Sequence, residues 1–493
     1  MNRYVLALDQ GTTSSRAIVF DANGRPVSSA QREFTQYTPR ESWVEHDAQE
    51  IWATQLAVAR QALAEAPGGI EKIAAIGITN QRETTVLWEK ATGKPVSRAI
   101  VWQCRRSAEI CSRLKQAGHE KDVRQRTGLM LDPYFSGTKI KWMLENDPEL
   151  QKRAEQGEIA FGTIDSWLLW NLTGGRIHAT DVSNASRTLL MNLKDGQWDD
   201  HMLSILEIPP AILPEIRPSI GHFGDTESTL FGRSLPVTGI AGDQHAALFG
   251  HKAFEPGDVK NTYGTGCFML MNVGDQPVQS PGGLLSTVAW GMGGQLTYAL
   301  EGSVFMAGAS LQWLRDDLGL VNNVQEIDAL AESVADSGGV HMVPAFQGLG
   351  TPWWSSHARG ALTGLTRASK KAHICRAFIE AIAFRSKDVI NVMMEDSGRQ
   401  LNRMKVDGGA SQSAILMRVQ ADFLGIPVER PASVETTALG AALMAGLGVG
   451  LWNDPATLPA PGTPTVFTPT MEESLRIQKY SEWVKAVKQA VGP

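Results

Sequence analysis

Runs and alternations of apolar residues lay out the chain before any chemistry is considered. Val5-Leu6-Ala7-Leu8 and Ala17-Ile18-Val19-Phe20 flank the polar segment Asp9-Gln10-Gly11-Thr12-Thr13-Ser14-Ser15-Arg16. Two apolar runs around a short loop with a central glycine predict a β-hairpin. Ile73–Ile78 reads as a buried strand, with Thr84–Trp88 as its continuation or partner. Between them Asn80-Gln81-Arg82-Glu83 sets polar groups where a buried strand ends. A helix is expected to begin near Ser136, after Pro133, and another in Phe161–Trp170 with Asp165 as its cap. Val237–Ala241 predicts a strand that runs through Gly242 into a helix whose first residues are Asp243 and Gln244.

The opening pattern then returns. Gly257 to Asn272 is strand, Gly264-Thr265-Gly266 loop, strand. Two such hairpins imply a duplicated architecture, with a division near residue 252 into halves 1–251 and 252–493. Glu301–Arg315 reads as a helix with small residues in its early turns, and Arg359–Thr366 as a strand with turns. Met404–Asp407 leads through Gly408-Gly409 into a helix carrying Ile415, Leu416, Val419 and Phe423. The longest apolar run, Ala438–Trp452, is short for a membrane span and broken by glycines, so it predicts a close-packed helix and its exit.

Composition narrows the class without changing this outline. A chain of 493 residues is too long for one core, and 43% hydrophobic with 20% charged residues is the balance of a water-soluble globular protein. A net charge of −6 favours neither nucleic acid nor an anionic membrane. Cys104, Cys111, Cys267 and Cys375 have no zinc or CxxC spacing and suit reduced thiols in a cytoplasmic setting.

The chemistry gathers at the predicted turns. Gly11 lets backbone N–H groups approach an anion, and Thr12, Thr13, Ser14 and Ser15 add hydroxyl donors. Arg16 supplies a fork for phosphate, and Asp9 a carboxylate suited to hydrated magnesium. Arg82 and Glu83 are either ligand contacts at a strand end or a surface salt bridge. Tyr134 either offers its hydroxyl to a ligand or caps a core cluster. Asp243, at the start of a helix, is either a cap or a rigidly held general base. The Gly408-Gly409 turn opens N–H groups at a helix start.

In their order, Asp-Gln-Gly-Thr-Thr-Ser-Ser-Arg, Asn-Gln-Arg-Glu-Thr, Gly-Asp-Gln, Tyr-Gly-Thr-Gly-Cys-Phe and Asp-Gly-Gly-Ala resemble the carbohydrate kinases of the FGGY family. Tyr134–Asn146 also fits that family's signature. Gly77–Thr85 and Asn261–Phe268 look like the branch that acts on glycerol. The resemblance runs from Tyr4 to about Val487. It implies an α/β fold of two ribonuclease-H-like (actin-like ATPase) domains with an interdomain catalytic cleft. It assigns the acceptor glycerol to Arg82, Glu83, Trp102, Tyr134, Asp243, Gln244 and Phe268, with Asp243 as catalytic base. It assigns ATP to Thr12, Thr13, Ser14, Arg16, Thr265, Gly308, Gln312, Gly409 and Ser413, and Mg2+ to Asp9 and Asp243. A cytoplasmic homodimer or homotetramer is implied, with no nucleic acid and no stable membrane insertion.

This chain departs from the pattern twice. Ser413 stands where the family usually carries Asn, so a hydroxyl reaches adenine only through water. Asp225–Ser234 lacks both the glycine-rich loop that binds fructose 1,6-bisphosphate in some bacterial members and the loop histidine phosphorylated in others. Two other readings compete: a family kinase for a pentulose or tetritol, and a non-catalytic actin-like filament subunit or sensor. The first should not keep Arg82-Glu83, Trp102 and Phe268 together; the second has no use for Asp243.

Overall fold

The computed structural model describes residues 3–355 and 357–492. The opening hairpin forms as β1 (Tyr4–Gln10) and β2 (Ser14–Phe20), followed by β3 (Pro26–Glu33) and helix α1 (Ala48–Glu65). With β4 (Ile73–Asn80), β5 (Ile220–Asp225) and β6 (Pro236–Gly242) these build a six-stranded sheet in the order β5-β6-β4-β1-β2-β3. The hairpin strands are antiparallel, whereas β1, β4 and β6 run parallel. Alternation splits β1 between two cores. Tyr4, Leu6 and Leu8 pack with Ile51, Val58 and Ala59 of α1, while Val5 and Ala7 face the other way.

Helix α2 (Asp243–Gly250) leads into the second half. Strands β7 (Val259–Tyr263), β8 (Cys267–Gly274), β9 (Leu285–Met292) and β10 (Gln295–Val304) are followed by α3 (Gly308–Asp316) and the long α4 (Lys371–Ser397). Then come β11 (Met404–Asp407), α5 (Ala414–Leu424), β12 (Val428–Arg430), α6 (Thr436–Gly448) and β13 (Thr465–Phe467). The seven-stranded sheet has the order β9-β10-β8-β7-β11-β12-β13. Here too an antiparallel hairpin meets a parallel neighbour: β7 pairs antiparallel with β8 and parallel with β11. The two sheets repeat one plan, the two-domain α/β arrangement expected of an actin-like ATPase fold.

Between the sheets lie α2 and α6, whose Phe249, Ala442 and Leu443 share one core with Val5, Ala75 and Ala241 of the first sheet and Leu270 and Ala289 of the second. Helix α6 belongs to the second half of the sequence but rests on the first sheet. Backbone meets backbone there: a Cβ on Gly77 would fall 2.2 Å from the Ala441 carbonyl oxygen, and one on Gly440 1.8 Å from that of Ala246. Only glycine permits that approach.

Several expectations are corrected. Thr84–Trp88 neither continues nor partners β4; Val86–Glu89 leaves the main sheet and pairs with Ile159–Gly162. Glu301 does not open a helix: it lies in β10, and α3 begins only at Gly308, because Glu301–Val304 is held in the ladder against Cys267–Leu270. Asp165 is not a helix cap. Thr163 occupies that position, and the buried Asp165 carboxylate accepts the hydroxyls of Thr163 at 2.5 Å and Thr180 at 2.6 Å. Ser15 turns away from the loop and bonds Thr54 at 2.9 Å, since alternate residues of β2 face opposite sides.

Candidate active site

Register explains why distant motifs converge. Gln10 of β1 stands opposite Asn80 of β4, and Asn80 opposite Gly242 of β6. Strands that end in one row release their next residues side by side, at the carboxyl edge where α/β proteins bind ligands. Thr12, Arg82-Glu83 and Asp243 therefore emerge together. The β7–β8 hairpin closes the space from the other half. The resulting cavity of about 230 Å³ is lined by Thr12, Arg82, Glu83, Trp102, Tyr134, Asp243, Gln244, Thr262, Gly264 and Phe268. Every residue expected at the acceptor is on this wall.

Arg82 and Glu83 are 3% and 1% exposed, so they are no surface salt bridge. Nor are they chiefly each other's partner. Arg82 Nε lies 3.1 Å from Asp243 Oδ1 but 4.0 Å from Glu83 Oε1, and its Nη1 pairs with Glu301. Glu83 instead receives Arg187 Nε at 2.7 Å, and Arg187 Nη2 reaches Glu301 Oε1 at 2.8 Å. The result is a buried chain of alternating charge, in which each carboxylate and guanidinium offsets the desolvation of its neighbours. Burial alone would raise the Glu301 carboxyl, but Arg187 and Arg82 hold it down at about 2. Glu83 also has a left-handed backbone, φ 60°, an uncommon conformation outside glycine. Its carbonyl is held by the hydroxyls of Ser136 at 3.0 Å and Thr85 at 3.1 Å.

Trp102 and Tyr134 meet edge to face, with centroids 5.7 Å apart, and Trp102 Nε1 donates to Thr12 Oγ1 at 3.0 Å. Asp243 is the first residue of α2, after Gly242, and its Oδ1 accepts the Gln244 N–H at 2.7 Å. Burial pushes its carboxyl up to about 6, against the pull of Arg82. That is a carboxylate ready to exchange a proton near neutral pH.

Of the residues expected at the phosphates, Thr12 lines the cavity, as does Gly264 of the second loop. Gly11 N–H bonds the Ser14 carbonyl at 2.9 Å, and Ser14 Oγ accepts Gln31 Nε2 at 2.9 Å. Phe34 N–H bonds the Thr13 carbonyl at 3.3 Å. Arg16 sits across the hairpin from Asp9, Nη2 to Oδ2 at 2.6 Å, and also pairs with Glu435 just before α6 at 2.5 Å. In the second loop the Thr265 carbonyl accepts the N–H groups of Ala307 at 2.9 Å and Ala309 at 3.1 Å, which docks the loop on the start of α3. Gly308 lies against Gly264, since a Cβ there would be 2.6 Å from the Gly264 carbonyl oxygen. Gly409 has open space where a side chain would stand, and Gln312 is exposed on α3. Ser413 is turned elsewhere: it caps α5 and donates to Asp328 Oδ1 at 2.9 Å.

Among the described residues no group of three or more His, Cys, Asp or Glu gathers as a metal cage. The two carboxylates expected at magnesium are Asp9, next to last in β1 and paired with Arg16, and Asp243, which follows β6; a pair of carboxylates is the donor set of a magnesium that keeps waters and takes its other ligands from phosphates. Arg187, Glu301 and Lys260 were not foreseen at the site. Only Glu301 carries a local sign, a charged residue inside the otherwise apolar Ala299-Leu300-Glu301-Gly302; Arg187 and Lys260 stand among polar neighbours, Ser186 and Thr188 for one and Asp258, Asn261 and Thr262 for the other.

Comparison with known proteins places the whole chain in one family. The N-terminal domain of the FGGY family of carbohydrate kinases matches residues 4–250 and its C-terminal domain residues 259–449. The glycerol kinase of Alkaliphilus metalliredigens is 54% identical over 493 residues, covering 100% of this chain and 99% of that protein. Glycerol kinase 2 of Thermotoga maritima is 54% identical over 491 residues and 99% of each chain. The crystal structure of Plasmodium falciparum glycerol kinase with ADP superposes with a TM-score of 0.95 at 34% identity, covering 100% of this chain and 99% of that one. With both halves matched and the relatives aligned from end to end, the chain belongs to the FGGY family of carbohydrate kinases.

Proposed function

We propose that this protein transfers the γ-phosphoryl group of ATP to a terminal hydroxyl of glycerol, giving sn-glycerol 3-phosphate. The observation that carries the reading is the cavity of about 230 Å³, in which Arg82, Glu83, Asp243 and Gln244 face the rings of Trp102 and Phe268. A triol needs several charged or amide partners for its oxygens and an apolar wall for its carbons. Asp243 accepts the proton of the attacking hydroxyl, and Arg82, 3.1 Å away, orients that carboxylate. In phosphoryl transfer such positioning outweighs basicity. Thr12, Thr13, Ser14, Arg16 and Thr265 hold the phosphates, and Gly308, Gln312 and Gly409 flank the nucleoside. Ser413, engaged as a cap, reaches adenine only through water. Asp9 and Asp243 would hold Mg2+, which supplies charge neutralisation on the phosphates. The division of the two domains falls near residue 252, and the chain works as a cytoplasmic homodimer or homotetramer. Among the described residues no helix is long and apolar enough to cross a membrane.

ATP-dependent phosphate transfer to a panel of polyols and ketoses tests the reading. Glycerol should be taken with the highest kcat/KM. Preference for a pentulose or tetritol would move the protein within its family, and nucleotide binding with no transfer to any acceptor would make it a sensor.

A further inference from the structure

Beneath the acceptor cavity lies a side chain that the reaction, as described so far, does not use. Lys260 of β7 is fully buried. Its ammonium donates to the Gln244 side-chain oxygen, to Thr262 Oγ1 at 2.9 Å and to the Phe268 carbonyl at 3.3 Å. All three partners line the cavity. Gln244 belongs to α2 and the first half, whereas Thr262 and Phe268 belong to the hairpin of the second. An ammonium has donors only, so it can meet an amide only through the oxygen. That fixes which way round Gln244 stands, with Oε1 against Lys260 and Nε2 left for the cavity. Burial lowers the Lys260 ammonium to about 8, with Asp407 opposing and Arg82 adding to the fall.

We propose that Lys260 is a positioning residue: it locks the Gln244 amide so that its N–H donors address a hydroxyl oxygen of the acceptor, and so sets selectivity for a polyol bearing that hydroxyl. This rests on the cavity being the acceptor site. A site built to donate to a hydroxyl rejects analogues that lack it, provided the donor cannot rotate away. Without the lysine, the amide is free to present its oxygen instead.

The test is a mutant cycle on the full-length protein with glycerol, propane-1,2-diol and propane-1,3-diol. Lys260→Met should raise KM for glycerol about tenfold or more, the scale of a lost hydrogen bond to a charged partner. It should leave KM for ATP and kcat within about threefold, and narrow the preference for glycerol over whichever diol lacks the contacted hydroxyl. In a Gln244→Ala background the same change should add less than twofold. Additive effects would overturn the proposal, as would a fall in kcat with KM unmoved. Gln244→Glu provides a second route should Lys260→Met fail to fold. It keeps an oxygen facing the ammonium but removes the donor, so it should lose glycerol affinity as Gln244→Ala does; wild-type KM in this variant overturns the proposal. Absence of any glycerol phosphorylation by the wild type would refute the proposed function instead, and the cycle would then be read on the polyol it accepts.

Discussion

At the scale of single residues the site is a set of side chains whose charges are placed by other charges. Asp243 has the simplest consequence. Asp243→Asn should cut kcat by two or more orders of magnitude, the usual scale for a general base, while calorimetry shows glycerol still bound. With Asp243 as the proposed base, its ionised form is the active one, and kcat/KM for glycerol should hold above about pH 6 and fall about tenfold per pH unit below it. A cation against the carboxylate would move that break downwards. Arg82→Ala should chiefly raise KM, since its bonds serve ground and transition states alike. It also leaves Glu301 buried with one guanidinium fewer, so melting temperature should fall with it. Most acceptor residues were legible because each sits in a short motif at or just beyond the end of a strand, whereas Tyr134 lies in the turn that leads into the helix Ser136–Glu145. Glu301 was not: its tie to Arg82 spans 219 positions, and no local pattern encodes a partner that far away. The Arg82-Glu83 neighbours illustrate the limit, since adjacency suggested a pair while burial gave each a different partner.

At the scale of elements, legibility followed periodicity and failed where the ladder chose between candidates. The hairpins, β4, β6 and the helix at Thr436–Gly448 could be read from apolar runs. The partner of Val86–Glu89 could not, because a short buried strand fits any free edge. Helix α6 gives a direct test of close packing. Gly440→Ala forces a methyl into the Ala246 carbonyl, and overpacking of backbone against backbone should cost roughly 1–3 kcal/mol in denaturant unfolding. The tie from Asp165 to Thr180, which joins helix Ile164–Leu172 to strand Ala179–Asp181, gives a pH test. Burial, with Asp181 adding to it, raises the Asp165 carboxyl to about 7. The folded state therefore holds the proton more tightly than the unfolded chain. Stability from this group is complete below about pH 4 and is lost as pH rises through 7. Unfolding of Asp165→Asn, measured from pH 4 to 8, should gain on the wild type by roughly 2–4 kcal/mol over that range.

At the scale of the molecule, two sheets of one plan face each other across α2 and α6, and catalysis and regulation both depend on what that frame presents. The segment Asp225–Ser234 presents little to an anion. Arg233, its one arginine, already lies 3.3 Å from Glu71, and the nearby Arg176 is paired with Glu227. Millimolar fructose 1,6-bisphosphate should therefore barely change the rate, and titration at low protein concentration checks this; saturable inhibition by more than half would reveal an anion site elsewhere.

The position of α6 also governs how the chain must be made. The face of the first sheet that carries Val5, Ala7, Ala75 and Ala241 is covered by a helix ending at Gly448. During synthesis the first half leaves the ribosome with that face met only by α2, and the rest of it stays bare until the covering helix is translated. At 5–20 residues per second the wait is roughly 10 to 40 s. Over that interval a glycine-notched apolar surface is open to chaperones and to other nascent chains. An N-terminal half expressed alone would never end the wait.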